Sequence, residues 1–388
     1  MSQHLMNNYG ERSHSLNRGE GCYLFDDTGQ TYLDALSGIA VCGLGHCHPQ
    51  VTQAITQQAQ TLLHTSNLFN IEKQQKLAQA LCDISGMEKA FFSNSGAEAN
   101  EAAIKISRLY ARKKDIANPV VIVTEGSFHG RTMATLSATG NPKVRQGFAP
   151  LVEGFKHVPY NDAAAVAEQC QQGNVVAVLV EPVQGEGGVR VPDADYLSQL
   201  RQVCDQHDCL LMLDEIQTGN ARTGRYFAFQ HSDIRPDVLT TAKGLGNGVP
   251  IGACLASGVA AELLQAGTHG STYGGNPLVC ATALATVTEL RTDRLLDNVN
   301  ARSQQLLEGL KQSLKGCEGV KDIRGKGLMV GIELNQSCTQ LVEQAWQKGL
   351  IINVTAGNTV RLLPPLIINE AQIEQIISTV SELVRGLQ

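Results

Sequence analysis

The chain has 388 residues, of which 43% are hydrophobic and 18% charged, as is usual for a globular protein with a sizeable core. Its net charge of −6 and the lack of a basic block argue against a nucleic-acid partner, because binding a phosphate backbone needs a positive surface. No hydrophobic run approaches the ~20 residues that cross a bilayer, and the first residues are polar, so we expect a cytoplasmic protein without a membrane partner.

The N-terminal part of the chain predicts two short strands and a hairpin turn. The turn is Asp26-Asp27-Thr28-Gly29, between strands at 22–25 and 31–33. From Pro49 onward, helical periods alternate with short apolar runs at 120–123, 177–180, 210–213 and 238–241. Runs that are apolar throughout fit strands buried on both faces by crossover helices, and this alternation predicts a mostly parallel sheet.

The last part of the chain predicts a second, smaller unit. After Asn276-Pro277 the chain is helical, then has strands around 328–334 and 359–363, and ends in a helix from about Glu370. We therefore expect an α/β fold with a large domain on the mostly parallel sheet and a smaller α+β domain. The predicted division is an N-terminal segment (1–44) that joins the small domain, a large domain (45–275) and a C-terminal small domain (276–388).

The eleven cysteines do not form a recognisable metal or disulfide pattern. They are scattered singly from Cys22 to Cys338, without a C-x-x-C pair, and their number is odd. This usage is typical of reduced thiols in a cytosolic protein. The cluster His46-Cys47-His48 resembles a metal motif, but adjacent residues on a tight turn rarely point at one ion. We expect no metal site.

The segment Ser95-Gly96-Ala97-Glu98 predicts the start of a helix and a place for an anion. Ser95 and Glu98 have the spacing of a capping box. Gly96 lets a ligand approach the backbone, and the free N–H groups of a first helical turn suit a phosphate. Alone this signal is weak, because capping boxes open many helices that bind nothing.

Two charged residues end apolar strands further along the chain. Asp214 closes the run 210–213, which places it at the carboxyl edge of the sheet, although a helix cap or a metal ligand would also explain it. Lys243 follows the run 238–241 and precedes glycine, where burial would lower the pKa of its amine, although the side chain could also reach solvent. A phosphate cup, an acid and a lysine together are what pyridoxal 5′-phosphate (PLP) needs.

Five longer blocks carry a family resemblance that runs nearly from end to end. They are NSGAEAN (94–100), FHGRT (128–132), EPVQGEGG (181–188), DEIQTG (214–219) and STYGGNP (271–277). In this order they resemble the class III aminotransferases, PLP enzymes of fold type I that act on ω-amino groups. Within the class, GIAV (38–41) before LGHCHP (44–49), and THGSTY (268–273), resemble the acetylornithine branch. Ornithine-specific members tend to carry a tyrosine where Ile39 stands.

The resemblance implies which residues hold the phosphate of PLP. Gly96 and Ala97 are expected to bind it through backbone N–H groups, and Ser95 belongs to the same cofactor-binding set. Thr272 is expected to reach the phosphate in the neighbouring subunit. The family therefore implies a homodimer with an active site shared across the interface.

The resemblance also assigns roles around the ring of PLP. Phe128 is expected to stack on the ring, Asp214 to pair with its nitrogen and Gln217 to hydrogen-bond its 3-oxygen. Lys243 is expected to bind the aldehyde and to move the proton, and Glu181 completes the cofactor-binding set. Asp214 and Lys243 are the predicted catalytic residues.

Four residues are expected to bind the substrates. Arg131, with Ser271 nearby, is expected to hold the α-carboxylate of the donor, and Arg361 a carboxylate of 2-oxoglutarate, since a guanidinium binds carboxylates bidentately. Glu186 resembles the family's acid that neutralises this second arginine until a carboxylate displaces it. Each has an ordinary alternative: Arg131 could pair with a surface acid, Arg361 could be exposed on an edge strand, and Glu186 could be a turn residue.

The implied reaction is ping-pong transfer of the δ-amino group of N2-acetylornithine to 2-oxoglutarate, in arginine biosynthesis. Alternative donors are succinylornithine, N-succinyl-diaminopimelate, ornithine and 4-aminobutyrate, because pocket shape decides the acyl group. A glutamate-semialdehyde aminomutase is an alternative reaction, and a silent ligand-binding regulator is an alternative outside enzymes. The presence of Lys243, Asp214 and Arg131 argues against the regulator.

One loop departs from the family pattern. The family usually reads G-x-G-R-T-G after the DEIQ-type block, with an apolar second residue, whereas this chain has Asn220 and Ala221 in the second and third positions. If the third position has a positive φ, alanine there costs about 1 kcal/mol. We expect the departure to affect loop geometry near the substrate entrance and to leave Asp214 and Lys243 in place.

Overall fold

A computed structural model describes residues 4–10 and 13–387. The strands are β1 (Arg18–Glu20), β2 (Tyr23–Phe25), β3 (Thr31–Asp34), β4 (Lys89–Ser93), β5 (Val120–Thr124), β6 (Phe155–Val158), β7 (Val175–Val180), β8 (Leu210–Asp214), β9 (Val238–Thr241), β10 (Gly252–Ala256), β11 (Val320–Lys326), β12 (Met329–Leu334), β13 (Leu350–Ile351), β14 (Asn353–Thr355) and β15 (Thr359–Leu362).

The α-helices are α1 (Ser37–Ala40), α2 (Pro49–Thr61), α3 (Glu72–Ser85), α4 (Gly96–Lys113), α5 (Met133–Ala138), α6 (Pro142–Arg145), α7 (Ala163–Cys170), α8 (Tyr196–Gln206), α9 (Pro277–Leu290), α10 (Asp293–Ser313), α11 (Leu341–Gln347) and α12 (Glu370–Arg385). Short 3-10 helices cover Asn7–Tyr9, Ala228–His231, Lys243–Leu245 and Gly258–Glu262. No helix of the described ranges is long and apolar enough to cross a membrane.

The central sheet has seven strands in the order β4-β10-β9-β8-β7-β5-β6. The strands from β9 to β6 run parallel, and β10 runs antiparallel to both of its neighbours. The four apolar runs are β5, β7, β8 and β9, so the expected mostly parallel sheet is confirmed. The antiparallel β10, with the sequence GACLA, was not predicted, because its glycine, alanines and cysteine carry little intrinsic strand preference.

Alternate residues of the central strands enter two different cores. On β8, Leu211 and Leu213 belong to a cluster that also contains Leu200 of α8, whereas Met212 belongs to one that contains Ile106 of α4. Because successive side chains of a strand point to opposite faces, the sheet is covered by helices on both faces. This burial is why these strands are mostly apolar, with the polar residues at their carboxyl ends.

One of the two smaller sheets, with the order β1-β2-β3-β13, combines strands from both ends of the chain. The predicted hairpin is present, with Asp26 accepting backbone N–H bonds from Thr28 and Gln30 at 2.9 Å, and β3 pairs in parallel with β13 from the C-terminal part. A third sheet has the order β11-β12-β15-β14. Helix α9 packs against α2 and α3, whereas α10 packs against α12. The division at 44/45 and 275/276 stays a prediction.

The described residues contain no group of three or more His, Cys, Asp or Glu placed to hold a metal ion. The eleven cysteines all lie within the described residues and form no disulfide there, and most of them are buried.

Candidate active site

A cavity of about 370 Å³ opens at the carboxyl ends of β8 and β9. It is lined by residues of distant parts of the chain, from Val41 to Ile251. Of the residues that the sequence singled out, the cavity brings together Ser95, Gly96, Ala97, Phe128, Arg131, Glu181, Glu186, Asp214, Gln217 and Lys243. Arg361 lies behind this lining, and Ser271 and Thr272 lie outside it.

One end of the cavity is the first turn of α4. Ser95 caps the helix, accepting the Glu98 N–H at 3.2 Å, as predicted, while the Glu98 carboxylate accepts from the backbone N–H of Asn94 at 2.8 Å. A Cβ on Gly96 would lie 2.7 Å from Ile216, so only glycine leaves this turn open. The turn presents backbone N–H groups at the positive end of an 18-residue helix, a natural anion site.

Asp214 is held by a buried network that the sequence did not reveal. Its Oδ2 accepts from Asn100 Nδ2 and is 2.8 Å from His129 Nδ1, and its Oδ1 accepts the Ile216 N–H at 3.1 Å. The side-chain oxygen of Asn100 in turn accepts from Thr240 at 2.7 Å. Asn100 and His129 both stand in the quoted blocks, but only the fold shows that they orient Asp214.

The neighbouring acid, Glu215, points away from the cavity. Its carboxylate accepts the backbone N–H groups of Ala228 and Phe229, at 2.9 and 2.8 Å, and the hydroxyl of Thr218 at 2.6 Å. Glu215 therefore caps the 3-10 helix Ala228–His231. Burial raises the pKa of this carboxyl to about 7, although the three hydrogen-bond donors favour its charged form and lower the pKa.

Lys243 follows β9 after Ala242 and enters the cavity from the side of the sheet. Its φ of 44° lies in the left-handed region, which is uncommon for a residue with a side chain. Burial lowers the pKa of its amine, partly offset by the negative charge of Glu186. A buried amine with a lowered pKa is a better nucleophile than a solvated lysine.

Glu186, which lines the cavity and is partly exposed, forms an ion pair with the buried Arg361. Arg361 Nη1 lies 2.6 Å from Glu186 Oε1, Nη2 donates to Asn353 at 2.7 Å, and Gln217 Oε1 also accepts from Nη1 at 3.3 Å. Burial opposes ionisation of Glu186, but the charge of Arg361 outweighs it and holds the pKa of the carboxyl below its usual value. Arg361 is only 1% exposed, so it is not an exposed edge residue. Asn353 was not predicted.

Comparison with known proteins agrees with this geometry. The family described as Aminotransferase class-III matches residues 6–384. An acetylornithine aminotransferase of Nitrosomonas europaea is 52% identical over 382 residues, 98% of this chain and 97% of that protein.

The chain belongs to the class III aminotransferases.

Two solved structures of aminotransferases share the fold. The ornithine aminotransferase of Toxoplasma gondii, in whose active site PLP was found at partial occupancy, superposes with a TM-score of 0.95 at 33% identity, over 99% of this chain and 92% of that one. The N-acetylornithine aminotransferase of Stenotrophomonas maltophilia superposes with a TM-score of 0.86 at 34% identity, over 98% of both chains. The expected fold-type-I architecture is thereby confirmed.

Glu181 of this aminotransferase lines the cavity and also supports Phe128. Its carboxylate accepts the backbone N–H groups of Phe128, at 2.9 Å, and of Gly185, at 3.2 Å. Burial raises the pKa of Glu181 to about 7, while the charge of His129 opposes that rise. Arg131 is exposed, with its guanidinium 5.5 Å from the centre of the Phe128 ring.

The single chain does not bring Thr272 to the cavity of the aminotransferase. Ser271 lies beside the start of α4, because its hydroxyl accepts from Asn94 at 3.2 Å, but the next residue, Thr272, is exposed. Ile39 also lies off the cavity, packed beside Ala40 and Val183, whereas Val41 lines it.

The two residues of this aminotransferase that depart from the family pattern, Asn220 and Ala221, do not line the cavity. Asn220 and Ala221 both have left-handed φ angles, of 57° and 68°, and both are buried. The backbone at Ala221 therefore has the positive φ at which alanine is strained, as the sequence analysis considered. Asn220 bonds to the end of β9 and is not part of the cavity lining, and the effect of the departure on loop geometry near the substrate entrance stays a prediction.

Proposed function

We propose that this class III enzyme uses PLP to transfer the δ-amino group of N2-acetylornithine to 2-oxoglutarate. The observation that carries the proposal is the meeting of Lys243, Asp214 and the first turn of α4 in one cavity. The donor assignment is supported by the relative from Nitrosomonas europaea, which is an acetylornithine aminotransferase. The products are N-acetylglutamate semialdehyde and glutamate, formed in two half-reactions.

The residues present fit the cofactor. The cradle at Gly96, which a Cβ would fill, leaves room for a phosphate on the N–H groups of α4. The buried Asp214 carboxylate is the group to hold a proton on the ring nitrogen, Phe128 would cover the ring, and Gln217 would donate to its 3-oxygen. When bound, PLP supplies the electron sink for the electrons released as a substrate C–H bond breaks.

Lys243 has two tasks in the proposal. Its amine would bind the aldehyde of the cofactor and, once displaced by the substrate amine, would move the proton of the substrate carbon. A lowered pKa suits both tasks, since a neutral amine is the nucleophile and the base. Asn100 and His129 fix the orientation of the Asp214 carboxylate through its Oδ2.

The Glu186–Arg361 pair allows one cavity to accept two substrates. The donor carries one carboxylate, which Arg131 would bind, and its reacting end is an uncharged carbon chain with an amine. Glutamate has a second carboxylate close to its reacting amine, and Arg361 is the buried cation beside the cavity that can bind it. While the donor is bound, Glu186 neutralises Arg361; a substrate carboxylate displaces it.

Removing the acid should therefore favour glutamate. We expect Glu186→Ala to raise the rate of the half-reaction with glutamate relative to that with N2-acetylornithine by at least about tenfold, or ~1.4 kcal/mol. The measurement is single-turnover conversion of the bound cofactor with each donor, followed by its absorbance. Asn353→Ala is the matched control, because it removes an uncharged partner of Arg361 and leaves the opposing charge in place. An unchanged ratio of the two rates in Glu186→Ala would make Glu186 a turn residue only.

The reaction itself is tested by a panel of donors with 2-oxoglutarate fixed. We expect the highest kcat/KM with N2-acetylornithine, compared with succinylornithine, N-succinyl-diaminopimelate, ornithine and 4-aminobutyrate. A higher value with another donor would contradict the acyl assignment. If no donor passed its amino group to free 2-oxoglutarate, the assignment as a transferase would be contradicted. An aminomutase or a silent regulator would give that result.

We further propose that the enzyme is a homodimer in which Thr272 binds the phosphate of the neighbouring subunit. Thr272 is exposed, and large apolar side chains are exposed nearby in sequence and in space: Tyr273 at 61%, Leu68 at 88% and Phe69 at 66%. The two segments are joined, since Asn67 donates to the carbonyls of Ser271 and Gly274 at 3.1 Å. An exposed apolar surface of this kind favours a second protein as its cover.

A hybrid of two defective chains tests the shared site. Lys243→Ala and Thr272→Ala subunits, each with low activity alone, should recover activity when mixed, because one of the two sites in a hybrid then has both residues intact. The measurement is kcat after co-refolding or co-expression, with the dimer mass checked by light scattering. If each subunit builds its site alone, every site in the hybrid stays defective and no recovery occurs.

A further inference from the structure

A buried amide lies directly behind Lys243. Asn220 is 3% exposed, and its Nδ2 donates to the carbonyl of Ala242 and to the hydroxyl of Thr241, both at 3.0 Å. Its Oδ1 accepts from the hydroxyl of Tyr226 at 3.3 Å. The side-chain amide therefore uses both its donors and its acceptor in one small cluster, which we call the Asn220 clamp: Asn220, Tyr226, Thr241 and Ala242.

The clamp acts on the peptide that presents the lysine. The carbonyl of Ala242 belongs to the peptide group that leads into Lys243, and it accepts both from Asn220 and from the backbone N–H of Leu245, at 2.9 Å. Two donors on one carbonyl fix the orientation of that peptide plane. The plane in turn sets the direction in which the Cα–Cβ bond of Lys243 leaves the backbone.

This support matters because the backbone at Lys243 is strained. A φ of 44° is unfavourable for a residue with a side chain and persists only where the surroundings hold it. The following residue also packs closely against Asn220, since a Cβ on Gly244 would lie 3.0 Å from the Cβ of Asn220. Asn220 thus packs against the turn and bonds to it.

Asparagine suits position 220 for two reasons. Its own φ is 57°, and asparagine enters the left-handed region more readily than apolar residues do. It also supplies the two N–H donors that an apolar residue lacks. The departure from the usual motif at this position is therefore a polar contact to the turn of Lys243.

We propose that Asn220 is a positioning residue, which aims the Lys243 amine into the cavity by holding the carbonyl of Ala242. The clamp residues Asn220, Tyr226 and Thr241 lie outside the cavity lining, so they act on the lysine from behind. The inference rests on the proposed function, because it takes Lys243 as the lysine that binds the cofactor aldehyde.

The test separates attachment of the cofactor from its binding. Full-length protein is stripped of cofactor and mixed with PLP, and the rate of covalent attachment is read by quenching with borohydride and quantifying the labelled peptide across a range of pH. Binding of pyridoxine 5′-phosphate, which has no aldehyde, is measured by calorimetry. Asn220→Gly keeps the left-handed turn free of strain and removes the amide. We expect it to slow attachment at least about tenfold, since small displacements of a reacting group are costly, and to shift the pH midpoint of attachment, with unchanged pyridoxine 5′-phosphate affinity.

Three further variants make the result specific. Ala221→Gly changes the adjacent left-handed residue and should leave attachment unchanged, because that residue offers no side-chain bond to the turn. Tyr226→Phe should slow attachment less than Asn220→Gly, because it removes only the bond to Oδ1. Asn220→Ser, which keeps a hydroxyl donor, decides the question if Asn220→Gly does not fold, and it is expected to slow attachment as well.

Unchanged attachment rate and pH midpoint in the Asn220 variants would overturn the inference. An equal loss of pyridoxine 5′-phosphate affinity and of attachment would also overturn it, since Asn220 would then support the whole cavity and not the lysine. Labelling of a lysine other than Lys243 in the unaltered protein would instead contradict the proposed function. The two failures are thereby distinguishable.

Discussion

Replacing Lys243 with alanine is expected to abolish turnover, lowering kcat by at least about 10⁴-fold, while PLP still binds through its phosphate and ring contacts. Among the residues that line the cavity, Lys243 is the only lysine. The variant loses at once the amine that binds the aldehyde and the base that moves the proton. The measurements are steady-state kcat with N2-acetylornithine and borohydride labelling of the cofactor onto peptides.

The matched control for this variant is Lys89→Ala. Lys89 is an exposed lysine paired with Glu262, at 2.7 Å, and exposed pairs of this kind contribute little to stability. Its removal should leave both kcat and the labelled peptide unchanged. A borohydride label on any lysine other than Lys243, or substantial turnover by Lys243→Ala, would end the assignment.

Asp214→Asn is expected to lower kcat by about 10³-fold, within the range that positioned acid–base groups contribute. Asparagine keeps the size of the side chain but not the negative charge, so it cannot hold a proton on the ring nitrogen. Because the side chain is 3% exposed, solvent cannot make up for the lost negative charge. The measurement is kcat, with the absorbance of the bound cofactor showing that PLP remains in place.

Glu215→Gln is the control for Asp214→Asn, because it neutralises the next residue, which is equally buried but faces the 3-10 helix Ala228–His231. It should alter stability and leave kcat within the same order as that of the unaltered protein. The folded-state pKa of Glu215, about 7, lies above its ordinary value of 4.5. Between pH 4.5 and about 7 the unfolded chain thus binds fewer protons than the folded protein. The contribution of Glu215 to stability therefore falls as pH rises through this range.

Glu215→Gln removes this pH dependence. Urea unfolding at the two ends of the window measures it, and the loss of stability with pH should be smaller in the variant. If Glu215→Gln reduced kcat as strongly as Asp214→Asn, the charge on the ring nitrogen would no longer be the explanation for either variant.

Much of this site could be predicted from the sequence, because several of its residues belong to short local patterns. Ser95 and Glu98 stand three residues apart, which is enough to begin a helix and to place Gly96 on its first turn. The apolar runs of β8 and β9 are buried on both faces, so the polar residues after them could only lie at the edge of the sheet. Asp214 and Lys243 were found in this way because each belongs to a pattern that a few neighbouring residues define.

The tertiary structure alone decided which groups support those residues. The family resemblance paired Glu186 with Arg361, but the 2.6 Å contact and the burial of Arg361 come from two strands and a loop meeting in space. Asn100 and His129 reach Asp214 across separations of 114 and 85 residues, whereas Asn353 lies directly opposite Arg361 in the β14–β15 pair. Asn220 is the clearest case, since the sequence marked it as a departure and the fold made it a contact of the turn that presents Lys243. Hydrogen bonds between distant segments depend on where strands and loops are placed, and neighbours in sequence carry no trace of that placement.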